Sequence, residues 1–169
     1  MSEFHLLSEW QLAAPIERVW EALVHPQDWP RWWPYVEAAV PVATGNARGI
    51  GARTCYVWSS RLPYRLAFEM RTTRAEPPLL LEGEASGDLE GRGRWRLARA
   101  GGATLVGYEW RVRTTKRWMN IVGPLLAPLF AWNHDQVMRA GGRGLARYLG
   151  ASHFTCVTQR TASHATLFG

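Results

Sequence analysis

Residues 116–149 read KRWMNIVGPLLAPLFAWNHDQVMRAGGRGLARYL. Leu126, Phe130, His134, Met138, Gly141, Leu145 and Tyr148 recur at steps of four, four, four, three, four and three, which is one face of an α-helix. Such a face needs a large apolar surface to lie against. At about 1.5 Å rise per residue the helix spans some 50 Å if straight. Pro124 and Pro128 each remove a helical N–H from its first half, so a kink or an interruption is expected there.

The chain upstream supplies the surface. Phe4–Leu12 alternates as a strand, with Phe4, Leu6, Trp10 and Leu12 on one face and Ser8 among them. Ala14-Pro15-Ile16-Glu17 is a helix start, and Ile16, Val19, Trp20 and Leu23 form its apolar stripe. Pro26–Pro34 makes a second short helical piece that crowds in Trp29, Trp32 and Trp33. It reads either as a packing plug at one end of a sheet or as an aromatic rim at a pocket mouth. Period-two patterns then place strands at 36–43, 53–59, 64–73, 79–86, 92–98 and 104–114, separated by Gly- and Pro-rich turns. One of these turns is Gly87–Gly91. Short turns imply an antiparallel sheet with one apolar and one charged face. On the charged face Glu82, Glu84, Arg92, Arg94, Glu109 and Arg111 read as a cross-strand lattice rather than a catalytic acid set.

With 169 residues, 47% hydrophobic and 20% charged, the chain is expected to form a single domain over 1–150. The segment 151–169 is rich in Ser and Thr without a period, and is expected to be a poorly ordered tail. Ten tryptophans suit a core or the wall of an apolar pocket. The net charge of +6 comes almost wholly from arginine, since Lys116 is the only lysine, and no block of like charges exists. A nucleic-acid partner is therefore not expected, and a weak attraction to anionic membranes is the most the charge implies. Cys55 and Cys156 fit a reduced thiol pair, and with no signal-like start this gives a cytoplasmic expectation. No apolar run approaches the ~18 residues of a membrane span.

Trp10, Ala14-Pro15, Val19-Trp20, Trp29-Pro30, Trp32-Trp33, Gly87-Asp88-Leu89 with Gly91, and Trp132-Asn133-His134 with Val137-Met138 form an ordered set. That set, over residues 3–150, resembles the polyketide cyclase/dehydrase branch of the START-like (SRPBCC) superfamily. The resemblance implies an α+β helix-grip fold. A curved antiparallel sheet of about seven strands wraps a long C-terminal helix, two short helices follow the first strand, and a hydrophobic cavity lies between sheet and helix. Members include lipid carriers and aromatase/cyclases, so fold is implied more firmly than activity.

His134 shares the helix stripe with Phe130 and Met138 and faces the sheet. There it is either a proton-transfer or hydrogen-bonding group at a cavity wall, or a buried neutral histidine satisfied by its neighbours. Asp135 does not pair with it, because adjacent helical residues point about 100° apart. Tyr56, Tyr64 and Tyr108 fall on the inner face as hydrogen-bonders or plain wall. The candidate catalytic residues are His134, Tyr108 and Tyr56. The candidate ligand-binding residues are Trp33, Trp58, Tyr64, Phe68, Trp95, Trp110, Trp118, Phe130 and Met138. Neither metal-ligand spacing nor a cofactor loop is present in the sequence.

These residues favour a protein that binds a small hydrophobic or aromatic molecule of lipid, polyketide or isoprenoid type. That reading requires a cavity of roughly 300–1,000 Å³. The alternative is a cyclase, aromatase or dehydratase in which His134 and an inner tyrosine move protons. It requires both groups to open into one void. In a third reading, basic charge and the Trp-rich segment 26–34 dock the cavity mouth on a bilayer.

Overall fold

The computed structural model describes residues 3–152 and 154–160. In chain order they form β1 (Glu3–Leu12), α1 (Ile16–Val24), a 3₁₀ turn (Pro26–Asp28) running into α2 (Trp29–Trp32), β2 (Val36–Ala43), β3 (Arg53–Trp58), β4 (Leu66–Glu76), β5 (Leu80–Gly87), β6 (Leu89–Ala100), β7 (Ala103–Thr114), α3 (Arg117–Leu149) and β8 (Phe154–Arg160). The strands form one antiparallel sheet in the order β2-β3-β4-β5-β6-β7-β1-β8. This is the helix-grip fold, with α3 lying across the aromatic face.

Residues 87–91 are tighter than a simple turn. Gly87 already pairs with Phe68, and Leu89 already pairs with Thr114. Gly91 has φ 147°, and a Cβ there would meet the Arg111 carbonyl at 2.1 Å, so the bend needs glycine. Asp88 in this corner accepts a hydrogen bond from the Ala67 N–H at 2.8 Å and an ion pair from Lys116 at 3.0 Å. The corner thereby ties β4 to the start of α3.

Three expectations need correcting. First, the prolines do not interrupt α3, which runs as one helix through Pro124 and Pro128. Met119 and Phe130 are buried on either side of the prolines, so tertiary packing holds the helix despite two missing N–H groups. Second, the inward stripe ends on Leu149, not Tyr148. Tyr148 is exposed, with the Arg31 guanidinium 6.0 Å from its ring. Third, residues 154–160 of the expected tail form an eighth strand on the open edge of β1, from Leu12↔Phe154 to Leu6↔Arg160. Phe154 and Cys156 pack against the core while Thr155 and Val157 face out, an alternation obscured by the Ser/Thr-rich composition. Residues 161–169 lie outside the described residues.

The convex face carries the charge lattice. Arg94 meets Glu82 at 2.5 Å, Arg111 meets Glu109 at 2.6 Å and Arg71 meets Glu84 at 2.8 Å. The concave face carries the core. Trp10, Trp29, Trp32, Trp33 and Trp95 pack together there, and α2 with Trp33 fills the space between the sheet and the second half of α3. The segment 26–34 is thus a plug.

Glycine permits that close approach. A Cβ on Gly144 would meet the Trp32 carbonyl oxygen at 1.6 Å, and one on Gly141 would meet the Trp33 indole at 2.2 Å. With no side chain in the way, the Trp33 N–H reaches the Val137 carbonyl at 2.9 Å.

Candidate functional site

The aromatic face is only partly filled. Beneath α3, between Met119 and Met138, lies a cavity of about 130 Å³. Its floor comes from β1, β3, β4, β6 and β7 through Phe4, Leu6, Trp58, Phe68, Leu89, Tyr108, Trp110 and Val112, and its roof from Met119, Phe130, Asn133, His134, Val137 and Met138 of α3. Tyr64 and Leu66 close one side. A second hollow, a groove of about 490 Å³, lies over the same face between α1, the Pro26–Asp28 turn and the loop after β2. Tyr56, Met70, Leu81 and Trp95 line it. Trp58, Phe68 and Tyr108 border both hollows and form the partition.

The floor has an aromatic ribbon because of one missing side chain. Trp95 stacks on Tyr108 with centroids 4.0 Å apart, and Tyr108 stacks on Trp110 at 5.7 Å. Gly93 lies directly opposite Trp110, and a Cβ there would come within 2.8 Å of that ring and 2.9 Å of the Tyr108 hydroxyl. Glycine therefore leaves both rings free to lie flat across β6.

Few polar groups reach the cavity. His134 Nε2 is 3.4 Å from Ser8 Oγ, and Ser8 is itself buried in β1. Burial pushes the His134 pKa down to about 4, so the ring is neutral at physiological pH. It faces the cavity and is tied to a side chain, not to backbone on both nitrogens. Burial also pushes the Tyr108 hydroxyl well above its ordinary range, with nearby Tyr56 adding to the effect, so it remains protonated. Tyr64 is likewise raised by burial, against opposing hydrogen bonds with Ser60 and Asn133. The Asn133 amide donates to the Tyr64 hydroxyl at 3.2 Å, and its carbonyl accepts from the Arg61 N–H at 3.1 Å. The Trp58 indole N–H is buried without a hydrogen-bond partner.

Of the residues expected at the site, the cavity brings together His134, Tyr108, Trp58, Tyr64, Phe68, Trp110, Phe130 and Met138. Tyr56 is not among them: it opens on the groove, and burial raises its hydroxyl pKa too. Trp95 stacks behind Tyr108 and meets the groove. Trp33 is locked in the plug. Trp118 stands half-exposed at the rim, edge-on to Tyr64 at 5.6 Å. Trp29, Trp32 and Trp33 are all buried, so segment 26–34 has no tryptophan to offer a bilayer.

Sequence reasoning missed Ser8 and Asn133 as site residues. The signal for Ser8 was its position as the lone hydroxyl in an apolar strand face. Asn133 carried no periodic signal. Among the described residues, no group of three or more His, Cys, Asp or Glu side chains could hold a metal ion. None of their helices is long and apolar enough to cross a membrane.

A sequence-family profile described as polyketide cyclase/dehydrase and lipid transport matches residues 5–150. No curated protein sequence matches the chain. Among solved structures, a protein from Thermus thermophilus superposes with a TM-score of 0.68 at 20% identity, covering 86% of this chain and 99% of that one. A START superfamily protein from Mycobacterium smegmatis gives 0.70 at 13% identity, covering 86% and 97%. The Zhui aromatase/cyclase from a Streptomyces species gives 0.68 at 12% identity, covering 88% and 94%. At such identities these likenesses establish shared fold.

Proposed function

The chain belongs to the polyketide cyclase/dehydrase and lipid transport family, and from that membership we propose that it binds a small hydrophobic or aromatic molecule of lipid, polyketide or isoprenoid type between the sheet and α3. The observation that carries this reading is an aromatic-walled hollow whose facing His134 and Tyr108 are neutral. Such walls favour an apolar body.

Size narrows the ligand further. A space of about 130 Å³ resembles the engineered cavities of roughly 150 Å³ that admit one benzene. A larger ligand must move the Trp58–Phe68–Tyr108 partition and reach into the groove. The enclosed cavity alone falls short of the continuous space of roughly 300–1,000 Å³ expected of a small-molecule site, and only joined to the groove would the space reach that range.

Native mass spectrometry of protein purified without added ligand tests the proposal. The expected result is a co-purifying hydrophobic molecule, or saturable binding when aromatic polyketides and fatty acids are titrated in. No bound mass and no saturable binding across those classes would defeat it.

An enzymatic reading, as cyclase, aromatase or dehydratase, draws support from His134 and Tyr108 sharing one cavity. Against it, a histidine with a pKa of about 4 is a weak base at neutral pH, and Tyr108 holds its proton tightly. If β-ketone chains are turned over, His134→Gln should abolish the step, with a pH profile breaking near the low value. Turnover unchanged in that variant would remove His134 from the chemistry.

A further inference from the structure

The first half of α3 is apolar on both sides. Its inner side roofs the cavity. On its outer side Trp118, Ile121, Leu125, Leu129 and Trp132 follow at steps of three, four, four and three, within an arc of about 80° at 100° per residue. All five are exposed, Ile121 by 80% and Leu125 by 82%. A helix that is apolar all round normally lies buried, so this stripe marks a contact surface.

We propose that this stripe is a membrane-docking face that lies in the interface of an anionic bilayer. Charge supports that occupant. No charged residue occurs between Arg117 and Asp135, so nothing on the stripe resists entry into acyl chains. Arg117 stands at one end, and at the other the Arg61 guanidinium lies 5.7 Å from the Trp132 ring. The two stripe tryptophans are about 21 Å apart along the helix and would sit at headgroup level, where indole rings prefer to lie. Beyond Trp132 the same outward stripe continues as Arg139, Arg143 and Arg147, suited to anionic headgroups rather than to acyl chains. The helix lies on the surface, since it is not apolar enough over its length to span.

A second copy fits less well. Two stripes packed antiparallel would set Arg117 of each towards Arg61 of the other, like charges at both ends of the contact. Docking is independent of the cavity ligand, although Trp118 would bring the bilayer to the rim beside Tyr64.

Vesicle co-sedimentation of the full chain tests the proposal, using pure phosphatidylcholine against vesicles of roughly one-third phosphatidylglycerol. The wild type should bind the anionic vesicles about tenfold more strongly, and less so as salt rises. Ile121→Glu/Leu125→Glu should lower that binding about tenfold while keeping the far-UV circular dichroism and thermal midpoint of the wild type. Equal binding to both vesicle types, or unchanged binding by the variant, would overturn the proposal. So would a dimer in sedimentation velocity that the variant dissolves, which assigns the stripe to a second copy.

Discussion

The two halves of α3 share one backbone and meet opposite surroundings. From Arg139 to Leu149 the helix is pressed onto α2 and the tryptophan plug through Gly141 and Gly144, while Arg139, Arg143 and Arg147 face water. From Arg117 to Met138 it bridges a hollow, and from Trp118 to Trp132 its outer face is apolar. One half is an anchor and the other is a roof. Stability concentrates where glycine lets backbones touch, and binding space persists where bulky side chains hold the helix off the sheet.

The largest effect should come from spoiling the anchor. Gly144→Val would put carbon where the Trp32 carbonyl oxygen already lies at 1.6 Å, so α2 and α3 must part. The small gain in helix propensity cannot offset that overlap, and a loss of at least about 3 kcal/mol in urea unfolding is expected. A loss under about 1 kcal/mol would mean that the halves do not differ in this way.

A matched pair of truncations should sharpen the contrast. Leu145 has no exposed surface, and Leu145→Ala should cost about 3 kcal/mol. Phe130 loses more atoms on truncation to alanine, yet it borders existing space and should cost no more than Leu145→Ala, about 3 kcal/mol, the low end for a buried phenylalanine. The reversed order, from the same unfolding assay, would show that the roof packs as tightly as the anchor.

His134 sits near the junction of the halves and gives the comparison a pH signature. Its folded pKa of about 4 lies below the ordinary 6.5. Above pH 6.5 both folded and unfolded chains carry it neutral, and it contributes no pH dependence. As pH falls from 6.5 towards 4, only the unfolded chain takes up the proton, so stability is lost through that window. Between pH 7 and pH 5 the loss should be about 2 kcal/mol beyond that of His134→Gln. Equal losses in wild type and variant would mean that the ring is hydrated.

Sequence alone showed much of this fold, because its signals are local. Alternation through Tyr108, Trp110 and Val112 needs only the chain itself, and so does the i, i+4 rhythm of α3. What stayed hidden depends on distant partners. Gly141 and Gly144 resemble ordinary helix weak points until Trp33 and Trp32 arrive against them. Tyr56 and Tyr108 look equivalent on the inner face, yet α3 crosses over Tyr108 and leaves Tyr56 to the groove. Ser8 stood out in the sequence only as a lone hydroxyl on an apolar strand face, and its partner His134 lies 126 residues away. The strand at 154–160 is held by backbone pairing to β1, which composition does not reveal.

The smallest expected effect is the most discriminating. Ile121 and Leu125 are exposed on the roof, so replacing both by serine removes no packed contact and should shift unfolding by no more than about 0.5 kcal/mol. If stability alone shaped α3, the outer face of the roof would carry arginines as the anchor does at Arg139, Arg143 and Arg147. Side chains that contribute nothing to folding and still interrupt a charged stripe with five apolar residues belong to a contact made outside the chain. A serine pair that destabilises by more than about 1 kcal/mol would instead make the stripe part of the fold, and the roof a second anchor.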